Sequence, residues 1–523
     1  MAARWRWAVS AASCALLVCG CTSRERSGTW TRASMYALAR SADGWQKGAS
    51  KDAGLELART AGLAAQLGHK RQAREWLRAA VRLQAGQGAV SPEFAGEAVD
   101  VLGSRAEPLV EQAVLSPPEA RYINAPSSTE VLGRFADAAP RGALALARSA
   151  KHDRAEALAA VAVASASRDP EVALSAVEEA GRLLLASVRE EEANALRARV
   201  AYRLADLDPG RARSLLRQTP SRGARQETLE AIVSAYGKLE PSRALAVIAG
   251  ITDPRTKSRL LATLARQVPG RAREYLGEAT TELMRALASQ PDTGTLEAAA
   301  LLGSQLEMTR MTSRADALLT AAAREARATV PADSGGLAQR HAGACIALAC
   351  ALVSRQPRRA FDLLSLGIAS LKEGAHGDVY LSSVAGILAG VSPRLGRRLD
   401  DLWQGAGAAT LFAMSQEAAS KDPSQARAWL RKASTLMPPK GDETSEPRFH
   451  ALMEQAAAQG TLLDSPQTAL NTARAVTDRG FRSAVYRRLA CVFHERASNR
   501  HATLDQEQAV EAIIEANHAL LGR

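Results

Sequence analysis

One histidine and two cysteines lie close enough together in the sequence to suggest a chemical role. His341, Cys345 and Cys350 fall within ten residues, and imidazole and thiolate groups bind zinc or form redox sites. On a helix, however, Cys345 and Cys350 lie on different faces because they are five residues apart. The run Ala344–Cys350 contains only small or aliphatic residues, which favours a second interpretation, core packing of buried thiols.

Longer catalytic motifs are absent from the sequence. It contains no HExxH zinc helix, no CxxC pair and no GxSxG nucleophile elbow, and Gly86–Gly88 lacks the third glycine of a phosphate-binding loop. Glu190–Glu192 provides three consecutive carboxylates, but at a helix start such residues complement the helix dipole. We therefore expect no catalytic, cofactor-binding or metal-binding residues, and we expect a protein that is not an enzyme.

The cysteine with the clearest sequence context is Cys21. The first seven residues carry Arg4 and Arg6, and an apolar segment follows over Ala8–Cys19. This segment is too short to remain as a membrane-spanning helix but has the length of the apolar part of a signal peptide. It ends in Leu-Val-Cys-Gly-Cys and is followed by polar residues.

These residues resemble a bacterial lipoprotein signal. Val18 stands at position −3, Gly20 at −1 and Cys21 at +1, whereas Cys19 departs from the usual Ala or Ser at −2. The resemblance implies cleavage after Gly20, lipidation of Cys21 and an extracytoplasmic location in the bacterial cell envelope. Several acyl chains anchor a protein far more firmly than one chain does. The alternative is an ordinary secretory signal that leaves no anchor.

Composition and charge restrict the remaining function classes. The 523 residues are 46% hydrophobic, 23% charged and 4% aromatic, with a net charge of +12. Without residues 1–20, which hold two arginines and no acidic residue, the net charge is +10. Only ten of the 67 basic residues are lysines. Arginine suits phosphate or carboxylate recognition because guanidinium binds both in a bidentate manner, but a genomic composition bias explains the same excess. The charge is scattered, which does not indicate nucleic-acid binding.

A recurring proline predicts the architecture. Proline is followed three residues later by a small residue at Pro140, Pro170, Pro209, Pro241, Pro269, Pro357, Pro393, Pro423 and Pro466. Proline fits the first turn of a helix, where its missing N–H has no helical partner, and Asp169, Asp208 and Asp422 precede three of these prolines as N-caps. Successive prolines of this set are 28 to 43 residues apart, except for one interval of 88 residues between Pro269 and Pro357. Spacing in this range indicates repeated helical hairpins. Thr312 is a candidate start for a unit without proline.

Between the prolines, the apolar residues follow a helical period. Leu229, Ile232, Val233 and Tyr236 form one such stripe, and Pro241 then begins the partner helix. We found no strand-like alternation of useful length. The sequence therefore predicts an all-α protein, an α-solenoid of antiparallel helical hairpins with units of about 28–43 residues.

Residues 56–83 resemble the tetratricopeptide repeat. This segment has the hairpin glycine Gly68, a small residue at Ala73, a large apolar residue at Leu77 and a further small residue at Ala80. The first-helix positions of the family are mostly replaced along the chain, which leaves HEAT-like and armadillo-like arrays open. The resemblance implies a curved scaffold that binds peptides or protein partners.

Changes in composition divide the chain into segments. We expect a signal peptide (1–20), a polar tether (21–50), N-terminal helical hairpins (51–135), solenoid repeats (136–437), a Pro-rich acidic loop (438–447), and C-terminal repeats with a capping helix (448–523).

Three functions fit these features. The first is a membrane-anchored scaffold or adaptor that binds a protein or peptide partner in the envelope, without nucleic acid or a cofactor. The second is a cell-wall glycan-active enzyme, or its accessory, built on a helical superhelix. The third is a basic solenoid that binds acidic envelope polymers.

Overall fold

The computed structural model describes residues 24–46, 52–85, 90–115, 127–289, 291–330, 336–370, 378–402, 408–419, 421–436, 446–462 and 466–498. These ranges contain helices and connecting turns and no strand, which confirms the all-α class. No helix within them is both long and apolar enough to cross a membrane.

The chain divides into two compact units. The middle unit is Ala49–Leu283, and the terminal unit combines Met1–Gly48 with Met284–Arg523. The middle unit contains α2 (Ala53–Gln66), α3 (Lys70–Ala85), α4 (Pro92–Leu102), α5 (Glu107–Leu115), α6 (Ser128–Ala138), α7 (Pro140–Ser149), α8 (Arg154–Ser165), α9 (Pro170–Ala186), α10 (Glu190–Leu204), α11 (Pro209–Arg217), α12 (Gln226–Leu239), α13 (Pro241–Ala249) and α14 (Pro254–Gln267), with short 3-10 turns at Gly103–Ala106 and Pro269–Arg271. Helix α15 (Ala272–Ser289) runs across the boundary.

The terminal unit begins with the first helix of the described residues. Its helices are α1 (Arg24–Gln46), α16 (Thr293–Met308), α17 (Thr312–Ala328), α18 (Gly336–Leu352), α19 (Pro357–Ser370), α20 (Asp378–Val391), α21 (Pro393–Leu402), α22 (Ala408–Ala418), α23 (Pro423–Thr435), α24 (Glu446–Leu462), α25 (Gln467–Ala475) and α26 (Arg479–Ala497).

The same packing pattern recurs in both units. Each even-numbered helix from α2 to α14 contacts the next even-numbered helix, and so does each one from α16 to α26. The odd-numbered helices between them pack mainly against their neighbours in sequence. We call the even-numbered helices of each unit, which contact one another in series, the inner row, and each odd-numbered helix packs against the inner-row helices next to it in sequence.

Helices α18 and α3 show how far side-chain burial differs between an inner-row helix and an odd-numbered helix. In α18 the twelve residues from His341 to Leu352 are all buried, which leaves this stretch no exposed face. In α3 only Ala73, Trp76, Leu77 and Ala80 are buried among sixteen residues. A helix that is apolar on all sides must be covered on all sides, whereas an amphipathic helix needs only one covered face.

The predicted helix starts are confirmed at seven of the nine prolines, where the helix begins at the proline itself. Pro269 instead begins a 3-10 turn before α15, and Pro466 is the residue before α25. Asp169, Asp208 and Asp422 accept hydrogen bonds from the backbone N–H three residues later, as expected of N-caps. Helix α17 begins at Thr312, the start predicted without a proline.

The segment 21–50, for which we expected a polar tether, contains a packed helix instead. Helix α1 packs against α26 at the other end of the chain. The Ser34 hydroxyl donates to the Ala490 carbonyl at 2.8 Å, and the Ser41 and Ser483 hydroxyls lie 2.7 Å apart. Trp30, Ala33, Ala37, Leu38, Ala42 and Trp45 are buried. Their helical spacing drives the packing, because burying this apolar stripe is favourable.

Other expected segments lie outside the described residues. These are the signal peptide, Cys21, most of the loop at 438–447, and the C-terminal stretch that was expected to form a capping helix.

The packing of α16 on α17 can be tested at Gly303, where the two helices lie close together. A Cβ atom at this position would lie 2.5 Å from Cδ2 and 2.7 Å from Cγ of Leu319, which is fully buried on the adjacent helix α17. We expect Gly303→Ala to destabilise the protein by about 1–3 kcal/mol through overpacking, measured as a lower midpoint of thermal unfolding.

Gly181→Ala is the matched control. Gly181 lies inside α9, and its added Cβ would meet only the end of the Arg197 side chain, at 3.6 Å. We expect this variant to be unchanged or stabilised by up to about 1 kcal/mol, because alanine favours the helix. Equal effects of the two substitutions would contradict the packing of α16 on α17.

Candidate functional site

The structure places His341, Cys345 and Cys350 in the core of the terminal unit. All three lie on α18, His341 is 2% exposed, and the two thiols are fully buried. The His341 Nε2–H donates to the Ala326 carbonyl at 2.7 Å, so Nδ1 is the acceptor that faces Cys345 Sγ at 3.7 Å. Burial raises the pKa of each thiol to about 12.

These contacts describe a packing role rather than reactive chemistry. A thiol with so high a pKa stays protonated at neutral pH and is a poor nucleophile and metal ligand. The His341 side chain joins α18 to α17 through the Ala326 carbonyl. No three His, Cys, Asp or Glu side chains in the described ranges are arranged to hold a metal ion.

The consecutive glutamates at the start of α10 form structural contacts. Arg189 pairs with both Glu192 and Glu156, and Glu191 accepts from the Arg225 backbone N–H at 2.7 Å. The hydrogen bond from Arg189 is the main reason that the pKa of Glu192 is lowered. Glu192 therefore stays ionised, and the Arg189–Glu156 pair and the Glu191 contact link the start of α10 to α8 and α12.

Many basic residues join consecutive hairpins through ion pairs. Arg148 binds Glu179 at 2.9 Å, Lys238 binds Asp206 at 2.6 Å and Arg213 binds Glu240 at 2.8 Å. The partners are 27 to 32 residues apart in sequence, about one repeat unit. Part of the arginine excess is therefore structural, and a functional arginine is one that departs from this pattern.

One cleft brings together arginines from two helices. It has a volume of about 450 Å³ and lies between α17 and α19 in the terminal unit, lined by Thr320, Ala323, Arg324, Arg327, Ala328 and Arg359. The apolar stripe of α17, which includes the buried Leu318, Leu319 and Ala322, faces the core. This stripe leaves Arg324 and Arg327 on the exposed side.

The three arginines of this cleft, here called the arginine cleft, have different partners. Arg327 binds Asp362 at 2.9 Å and Arg324 binds Glu325 at 3.0 Å. Arg359 donates to the Thr320 hydroxyl and to Gln356 Oε1, the latter at 2.7 Å. Both of these acceptors are neutral, so Arg359 departs from the pattern of ion pairs between hairpins. The arrangement can bind an anion.

The most perturbed carboxyl group in the middle unit is Glu97 on α4. Burial is the main cause that raises its pKa to about 8, and Asp100 and Glu93 raise it further, whereas Arg134 and Arg59 lower it. Its side chain has space because residue 62 is glycine: a Cβ there would lie 1.9 Å from Glu97 Oε2. Glu97 is only 4% exposed, so a ligand in solvent does not reach it, and its protonation affects stability.

Sequence reasoning missed both the arginine cleft and Glu97. The arginine excess was a signal for anion recognition, but Arg359 and Arg327 meet only through packing of α17 and α19. Glu97 interrupts an apolar stretch that includes Phe94, Ala98 and Val99, which was a local signal for a buried charge. No family model, curated protein or solved structure matches the chain.

Glu97 predicts a specific dependence of stability on pH. Because its pKa is higher in the folded state, the unfolded chain loses the proton first, and folding stability falls as pH rises from about 4.5 to 8. We expect Glu97→Gln to remove this loss. The midpoint of thermal unfolding of Glu97→Gln minus that of the wild type should become more positive from pH 5 to pH 9, as measured by circular dichroism.

Glu111→Gln is the control, because Glu111 is an exposed glutamate on α5 and its substitution removes the same charge. A Glu97→Gln effect that is constant over this pH range would contradict the assignment of Glu97 as a carboxyl group that remains protonated near neutral pH.

Proposed function

We propose that this protein is a membrane-anchored extracytoplasmic scaffold of the bacterial envelope, which holds a protein or peptide partner through an α-solenoid of helical hairpins. The single observation that carries the proposal is the anchor sequence, Leu17–Cys21, joined to a chain of recurring helical hairpins. The proposal includes no catalytic step.

The packing pattern supports the solenoid. In a solenoid each repeat contacts mainly its neighbours, and the inner row of each unit follows that rule from one even-numbered helix to the next. The hairpin α2–α3 also fits the tetratricopeptide resemblance. Gly68 has a positive φ of 88° in its turn, a conformation that favours glycine, and Ala73, Leu77 and Ala80 are buried.

The position of α1 supports a firm connection between anchor and fold. Cys21 precedes the start of α1 by three residues, and α1 is held to α26 by hydrogen bonds and by aromatic contacts. The Trp30 ring lies 5.5 Å from that of Phe493, and the Arg496 guanidinium lies 4.0 Å from the Trp30 ring. A lipid on Cys21 would therefore be attached close to a packed helix rather than to a long linker.

The arginine cleft also favours a second candidate function, the binding of acidic envelope polymers. Binding of acidic envelope polymers by a basic solenoid also uses exposed guanidinium groups, and their attraction is screened by salt. Polymer binding that does not weaken between low and high salt would contradict this alternative.

The anchor is tested by substitution of the proposed lipidation site. We expect Cys21→Ser to move the protein from the membrane fraction to the soluble fraction, because the acyl chains are lost, without any change in helical content. Cys19→Ser is the matched control, since it removes a neighbouring thiol and keeps Cys21. Membrane association of Cys21→Ser equal to that of Cys19→Ser would contradict the anchor.

The partner is tested by affinity purification from detergent-solubilised membranes of the native host, analysed by mass spectrometry. We expect a reproducible envelope protein with the wild type that is lost or displaced with Cys21→Ser. An absence of any enriched protein with either form would favour the polymer-binding or glycan-active alternatives.

A further inference from the structure

We propose that the arginine cleft binds a carboxylate side chain from an acidic peptide segment of the partner protein, with Arg359 as the principal ligand. This inference rests on the proposed scaffold function, because it names the chemistry by which the scaffold recognises its partner.

The free charge of the cleft is the first argument. Arg359 contacts Thr320 and Gln356, which are neutral, so its positive charge is not compensated by a carboxylate within hydrogen-bonding distance among the described residues. Guanidinium groups bind carboxylates through two parallel hydrogen bonds. Arg324 and Arg327 already form ion pairs within the protein, whereas Arg359 is able to form one with a carboxylate ligand.

The orientation of Arg359 is fixed before any ligand arrives. Gln356 accepts a hydrogen bond from Arg359 through Oε1, and its Nε2 donates to Asp316 Oδ1 at 2.8 Å. On the other side, the Thr320 hydroxyl of α17 accepts from Arg359. Such positioning lowers the entropy cost of binding, because the long side chain is already ordered.

The remaining groups favour a carboxylate over a phosphate. Arg324 and Arg327 already pair with Glu325 and Asp362, so Arg359 is the one arginine of the cleft whose positive charge has no carboxylate partner among the described residues. One carboxylate neutralises that charge, whereas a dianionic phosphate would leave an excess of negative charge and would lie near Glu325 and Asp362.

The walls of the cleft suit a side chain on a peptide. Ala323 and Ala328 contribute methyl groups beside the arginines, which fit the methylene groups of an aspartate or glutamate. The volume of about 450 Å³ lies within the range of about 300–1,000 Å³ that is typical of ligand sites. The exposed pairs of Arg324 and Arg327 contribute little to stability, so both arginines are able to turn towards a ligand.

The test measures binding of a fluorescent oligoglutamate peptide to the full chain by anisotropy at low salt, with an oligoglutamine peptide of equal length as the reference. We expect saturable binding of oligoglutamate only, which weakens with added salt. Arg359→Gln should reduce the affinity by at least about tenfold, because it removes a hydrogen-bonded ion pair.

Arg358→Gln is the matched control. Arg358 is exposed on α19, as Arg359 is, but it does not line the cleft, so its loss should change the affinity by less than about twofold, because only long-range attraction is removed. Circular dichroism and the unfolding midpoint should show that both variants fold as the wild type does.

Three outcomes would overturn the inference. The first is an equal loss of oligoglutamate affinity in Arg359→Gln and Arg358→Gln, which indicates non-specific attraction. The second is displacement of the peptide by inorganic phosphate at a far lower concentration than by acetate, which indicates a phosphate site. The third is no binding of oligoglutamate to the wild type. If an envelope partner still co-purifies with Arg359→Gln, only this inference fails. If no partner is found with the wild type, the scaffold proposal itself fails.

Discussion

The terminal unit depends on one constraint: its inner helix α18 is buried on all sides and must therefore be covered by neighbouring helices on every side. In α18 the buried run His341–Leu352 has contacts with α16, α17, α19 and α20. Removing one neighbour would expose a large apolar area to water, at a cost of about 25 cal/mol for each Å². For an array of such helices, the last inner helix is the point of weakness, because nothing follows it to provide the next layer.

In the terminal unit, α1 covers the last described inner helix. Helix α1, the first described helix, packs on the last described inner helix, α26, and buries its apolar stripe there. The two ends of the described chain are thus joined by a core contact rather than by surface polar contacts alone. Arg479 also lies over the Trp45 ring, at 4.6 Å from its centre, near the end of α1.

Local sequence signals predicted the parts of the structure that have local causes. Proline starts and aspartate caps act within one helical turn, and α7, α9, α11 and α23 begin where those residues are. The apolar period that predicts helices acts over two or three turns. Packing of α1 was missed, although its stripe from Trp30 to Trp45 has helical spacing, because its partner is more than 430 residues away and the flanking composition is polar.

The candidate site could not be predicted for the same physical reason. Arg327 and Asp362 are 35 residues apart, and their contact depends on how closely α17 and α19 approach, which the residue pattern within one helix does not reveal. The burial of Cys345 and Cys350 was easier to predict from the sequence, because the run Ala344–Cys350 has no polar residue that would indicate solvent access.

The most direct test of this account is a disulfide between the two ends of the chain. The Ser41 and Ser483 oxygens are 2.7 Å apart, so sulfur atoms at the same positions need to approach by less than about 1 Å to reach the S–S length of about 2.05 Å. The double variant Ser41→Cys/Ser483→Cys should form an intramolecular link between these positions on mild oxidation, as detected by peptide mapping with mass spectrometry. Arg40→Cys/Ser483→Cys, in which the first cysteine replaces the exposed neighbour of Ser41, should form far less of it. Equal linking in both variants, or none in the first, would contradict the packing of α1 on α26.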